Sequence, residues 1–123
     1  MSSFKDLKVW KEAHKLTLEI YAISKTFPSE ERYRLIDQLC RSASSVPANI
    51  AEGKGRDSHK DFLRFLIIAR GSLEETKYHL LLAKDLGYLP EANYNKLLDK
   101  YDSVGRMMNG LIGKVRKEVE GSS

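Results

Sequence analysis

Phe62, Leu66, Ala69, Leu73, Thr76, Leu80 and Ala83 follow one another at steps of 4, 3, 4, 3, 4 and 3 residues, with no proline among them. That spacing lays seven side chains along one stripe of an α-helix and fits no strand. A seam of this length packs on other helices at a shallow angle. Ser58, followed three residues later by Asp61, resembles a capping box with Asp in place of Glu, so the helix starts near His59. Gly87 and Pro90 close it, giving a predicted helix over 59–86.

The same rhythm appears three more times. Val9, Ala13, Leu16, Ile20, Ile23 and Phe27 mark a first helix over 4–27, stopped by Pro28. Ser29 with Glu30 and Glu31 offers a cap and first-turn acids for a second helix over 30–52, whose core face takes Ile36, Leu39, Cys40, Ala43, Val46 and Ile50. Pro47 lies inside it and removes the bond to the Ala43 carbonyl, so a kink is expected, with a break into two shorter helices as the alternative. The small residues Ser42 to Ser45 permit close approach, and serine hydroxyls are expected to occupy freed carbonyls. Tyr94, Leu97, Tyr101, Val104, Met108, Leu111 and Val115 mark a fourth helix over 91–119, before the polar tail Gly121, Ser122 and Ser123. The expectation is all-α: one antiparallel up-down four-helix bundle over residues 1–123, with a Pro-kinked second helix.

A content of 41% hydrophobic and 31% charged residues with three prolines supports a globular helical domain. A single cysteine, Cys40, rules out an internal disulfide and fits a reducing cytoplasm. The charged N-terminus resembles no signal peptide, and no stretch is apolar enough for a membrane span. A net charge of +4 makes polyanions natural partners.

Chemistry is sparse. No Glu-x-x-His pair exists for a di-metal site, and His14, His59 and His79 are scattered, so no metal or other cofactor is expected. Lys54 to Ser58 lacks phosphate-loop spacing, while Ser72 and Cys40 lack the surroundings of a nucleophile, so no enzyme is expected. Helix 1 carries a second apolar group, Phe4, Leu7, Trp10, Leu18 and Tyr21, and helix 3 carries Leu63, Ile67 and Leu81 off its seam. A monomeric bundle needs one buried stripe per helix, so the surplus points to an oligomer interface; edge-capping of the core by Trp10 and Tyr21 is the plainer alternative.

The densest polar cluster is the turn between helices 2 and 3. Lys54 and Arg56 precede the new helix, Lys60 and Arg64 follow its start, and Arg41 and Arg70 extend the surface. A helix N-terminus with flexible glycines and four cations suits the phosphates of RNA or DNA. No aromatic for base stacking is evident nearby, so readout would be of backbone and shape. The simpler alternative is a solvated loop with ordinary caps.

The run Ser45-Val-Pro47-Ala-Asn49-Ile-Ala-Glu52-Gly53-Lys-Gly55-Arg56 resembles the signature of the four-helix bundle proteins encoded in bacterial ribosomal RNA intervening sequences. The likeness extends to Leu7, Trp10, Gln38, Arg41, Phe62, Ala69, Ser72, Glu75 and Leu86 to Leu89. It implies a ring-forming homo-oligomer, a homopentamer, similar in architecture to the accessory proteins of diversity-generating retroelements, and it implies no known enzyme. Within the signature Pro47 is expected to kink the helix and Gly53 to terminate it, with Gly55 following. Asn49 and Glu52 are expected to bond exposed amides, or Glu52 to pair with Arg56 and shape the loop. The functional expectation is a non-enzymatic, oligomeric, nucleic-acid-associated bundle, with a scaffold that docks a protein partner through its apolar faces as the alternative.

Overall fold

The computed structural model describes residues 3–122; Met1 and Ser2 of the expected domain and Ser123 of the expected tail lie outside them. Four helices form an all-α bundle: α1 (Lys8–Ser24), α2 (Leu35–Lys54), α3 (His59–Asp85) and α4 (Glu91–Ser122). In the cycle of packed neighbours α2 meets α3, α3 meets α4, and α1 meets both α2 and α4, which leaves α1 and α3 on opposite corners. The whole α3 seam from Phe62 to Ala83 is buried, with Leu66, Ala69 and Leu80 fully so. Leu35 and Ile112 are buried beside the expected core residues, whereas Ile36, Ile23, Cys40, Tyr94 and Leu111 are half-buried at its margin.

The ends of the elements differ from the sequence expectation in ways that local bonding explains. Helix 1 does not begin at Phe4: Phe4–Asp6 is a separate 3-10 turn, closed by a reciprocal Ser3/Asp6 capping box, and α1 starts after Leu7 turns extended. Ser29 to Glu31 likewise form a 3-10 turn rather than the start of helix 2, and Arg34 leaves helical geometry just before Leu35. Ser29 makes no side-chain cap bond, and the acids Glu30 and Glu31 fall in this short turn instead of in the first turn of helix 2. At the other end α4 runs past 119 to Ser122. Gly87 ends α3 as expected: its φ of +83° lets its own N–H reach the Lys84 carbonyl at 3.0 Å and the Tyr88 N–H reach that of Ala83 at 2.9 Å.

Helix α2 is continuous through Pro47 rather than split in two. The Ala43 carbonyl, deprived of its usual donor, receives the Thr17 hydroxyl of α1 at 3.2 Å, a proton that Thr17 shares with its own-helix Ala13 carbonyl at 2.9 Å. A residue on a neighbouring helix, not a local serine, therefore fills the gap. Replacing Thr17 with Val, of equal shape, strands that buried carbonyl and should cost about 1–3 kcal/mol. A urea midpoint equal to wild type would refute this role.

Between α3 and α4 the half-buried Lys77 ammonium lies 2.7 Å from Asp102. The Asp102 hydrogen bond raises the Lys77 pKa above 10.5 against the opposing effect of burial, so this pair's contribution is complete below that value and fades as pH climbs past the folded one. Tyr101 is buried with its hydroxyl unpartnered; burial first and the Glu19 charge second push its pKa up and keep it neutral.

Candidate nucleic-acid interface

The turn from α2 to α3 is built by its caps. The Gly55 N–H donates to the carbonyls of Ala51 and Glu52, both at 3.2 Å, and the Asp61 N–H donates to Ser58 Oγ at 3.1 Å. Around it three of the four expected cations gather on two phenylalanines. Lys54 Nζ stands 5.8 Å from the Phe62 ring centre, while the guanidinium carbons of Arg56 and Arg64 stand 4.8 and 4.6 Å from that of Phe65. Arg56 also bonds Glu52 at 2.9 Å, the expected loop-shaping pair, and Arg64 is 3.9 Å from Asp61. Lys60 is exposed. Phe65 is itself buried, so the aromatic group near this turn serves as a shelf for arginines and not as a platform for bases.

Arg41 and Arg70 do not join this cluster. Arg41 sits midway along α2, exposed and 3.9 Å from Asp37, and Arg70 turns toward α4, where it donates to Asn109 at 3.2 Å. Other cations join instead. His59 meets Glu118 at 3.2 Å, which brings the last turns of α4, with Lys114, Arg116 and Lys117, to the start of α3. Phe4 and Ala51 share one groove, which brings Lys5 and Lys8 to the same end of the bundle. That end gathers nine cations (Lys5, Lys8, Lys54, Arg56, Lys60, Arg64, Lys114, Arg116, Lys117) against six acids (Asp6, Glu52, Asp57, Asp61, Glu118, Glu120). The opposite end gathers five (Lys25, Arg32, Arg34, Lys84, Lys96) against six (Glu30, Glu31, Asp37, Asp85, Glu91, Asp99). The two ends thus carry +3 and −1, with +2 along the middle, a gradient that a local run of residues does not reveal.

The apolar residues set aside for an interface fall on separate sides. Phe4, Trp10, Leu18 and Tyr21 line a single open groove of about 470 Å³ together with Pro47, Ala48 and Ala51 of α2. Trp10 is partly covered, its ring 4.9 Å from Phe4 and stacked at 5.0 Å on His14, but Leu18 is 58% exposed. Leu7 packs against the core. On α3, Leu63 also packs on the core, whereas Ile67 and Leu81 are exposed along with Ile68 and Tyr78. Among the described residues, no group of three or more His, Cys, Asp or Glu side chains is placed to hold a metal, and no helix is long and apolar enough to cross a membrane.

The sequence pattern of the 23S rRNA-intervening sequence proteins matches residues 5–110. The chain belongs to that family. Among solved structures it is similar to a protein of unknown function of the S23 ribosomal protein family from Bacteroides thetaiotaomicron, with a TM-score of 0.80 and 24% identity over 85% of this chain and 95% of the other. At that identity the likeness speaks for the fold. None of the curated proteins matches.

In this intervening-sequence protein the signature residues hold α2 against α3. Asn49 donates from Nδ2 to the Ser45 carbonyl at 2.8 Å and to Ser45 Oγ at 2.9 Å, rather than bonding a free amide as expected. Ser45 Oγ lies 2.9 Å from Ser72 Oγ, and one turn back Thr76 meets Ser42 at 2.9 Å. Gly53 does not terminate α2, which runs on to Lys54 with Gly55 as its cap. Its role is proximity: a side chain there would meet Phe65 Cβ at 2.7 Å.

Proposed function

We propose that this protein is a non-enzymatic, oligomeric bundle that associates with structured RNA through the basic end centred on the α2–α3 turn. The observation that carries the reading is the pair of guanidinium groups seated on Phe65 beside exposed Lys60, at the more positive end of the bundle. Arginines held on an aromatic shelf lose little freedom when they meet a phosphate. Glu52 and Asp61 compete for them, so each contact is weak and repetition across subunits supplies avidity. The family's name speaks of ribosomal RNA, which makes fragments of that RNA the natural first probe. Anisotropy of labelled ribosomal RNA hairpins should give a dissociation constant that rises log-linearly with salt. Absence of binding at low salt overturns the reading.

Self-association is supported by where the apolar surfaces lie. The α1–α2 groove and the exposed α3 row belong to opposite corners of the bundle, so they match a head-to-tail contact, which closes into a ring such as a pentamer, better than a two-fold one. Leu18→Glu places a charge in the groove at an exposed position and should convert the assembly to monomer in light scattering. A wild-type monomer at high concentration overturns this part. The groove also favours a second reading, a scaffold that docks a protein partner there; binding insensitive to salt would distinguish it.

A further inference from the structure

Midway along the packed faces of α2 and α3, Gln38, Arg41, Ser42, Ser45, Ser72 and Glu75 line an open polar cleft of about 160 Å³. Its chemistry is mixed in an informative way. A bare phosphate there meets the Glu75 carboxylate, and a bare cation meets Arg41. A hydroxyl group, donor and acceptor at once, satisfies both.

Glu75, Ser45 and Ser72 are already held by hydrogen bonds. Glu75 Oε2 takes the His79 Nε2 proton at 3.2 Å, leaving Oε1 for a ligand donor. Asn49 occupies one lone pair of Ser45 Oγ at 2.9 Å, and Ser45 stands 2.9 Å from Ser72. When Ser45 donates to Ser72, the Ser72 proton is left for a ligand acceptor. Gln38 and Arg41 add donors at the rim. Ser72 lies eight residues along α3 from Arg64, about 12 Å at the rise of a helix, so a strand gripped at the basic turn reaches this cleft within a few nucleotides.

We infer that the α2–α3 cleft receives a ribose 2′-hydroxyl, with Glu75 as acceptor and Ser72, Gln38 and Arg41 as donors, and that it thereby selects RNA over DNA. The inference rests on the RNA reading above and adds to it a discriminating site. The 2′-hydroxyl is the group by which a protein separates the two polymers, and acidic side chains bind ribose hydroxyls in this way elsewhere.

The test uses the full chain and one hairpin sequence made as RNA, as DNA and as 2′-O-methyl RNA, with affinities from anisotropy. Wild type should bind the RNA about ten times more tightly than the other two, one charge-assisted hydrogen bond's worth. Glu75→Ala, at a half-exposed position that leaves the core intact, should bring RNA down to the DNA value and leave DNA unchanged. Gln38→Ala, also exposed, should move the ratio in the same direction by less. Equal binding of RNA and DNA by wild type, or an RNA preference that survives Glu75→Ala, overturns the cleft assignment while leaving the basic end in place. No binding of any of the three overturns both.

Discussion

Gly53→Ala should lower the thermal midpoint by about 8 °C, some 2 kcal/mol for a chain of this size. The direction is not obvious, because alanine in a helix interior normally adds up to about 1 kcal/mol over glycine. Contact decides it. The new methyl would stand 2.7 Å from Phe65 Cβ, 3.0 Å from Phe62 Cδ1 and 3.3 Å from the Phe62 carbonyl oxygen. Phe65 Cβ is tied directly to the α3 backbone and no rotamer moves it, so the helices must separate where they approach closely. Overpacking of this kind outweighs the gain in propensity. Gly110→Ala supplies the control: it lies within α4 with nothing inside 4 Å of the added methyl, and it should raise the midpoint slightly. If Gly53→Ala melts at or above wild type, the close approach is not what holds a glycine there.

The triple replacement Arg56→Gln, Lys60→Gln and Arg64→Gln should weaken binding to a ribosomal RNA hairpin by about a hundredfold at low salt. It should also take about two to three units off the slope of log affinity against log salt. Gln is chosen over Ala because both arginines lie on Phe65, and a longer side chain keeps part of that cover. Loss of the two ring contacts lowers stability by about 1 kcal/mol, so circular dichroism must show a folded variant before affinities are compared. An unchanged slope places the phosphate contacts elsewhere on the surface. An unchanged affinity with the assembly intact turns attention to the α1–α2 groove as the working surface.

The bundle was legible because α3 carries a long uninterrupted repeat, and each seam residue from Phe62 to Ala83 is buried. Periodicity tells which face is inward, but not how far a neighbour covers its flank. Phe65 lies off the seam and is nevertheless buried, because α2 ends against it at Gly53. In the sequence Gly53 resembles a stop signal, since a glycine needed for proximity and one needed for a turn look alike there. The partner of the Ala43 carbonyl was invisible for a similar reason, as Thr17 is 26 residues away. At the candidate site Lys54, Arg56, Lys60 and Arg64 could be grouped because they are neighbours along the chain. Lys114, Arg116 and Lys117 could not, since only the packing of α4 brings them there, and the same packing turns Arg70 away.

The uneven distribution of charge between the two ends gives the bundle a direction. In the field of a polyanion such a body feels a torque before it touches anything, and it arrives with the α2–α3 turn leading. Rotation about an axis along the bundle preserves that polarity, so copies arranged around such an axis all point the same way. A ring built so has two faces of unlike charge, and under the proposed function a bound strand lies on one side only.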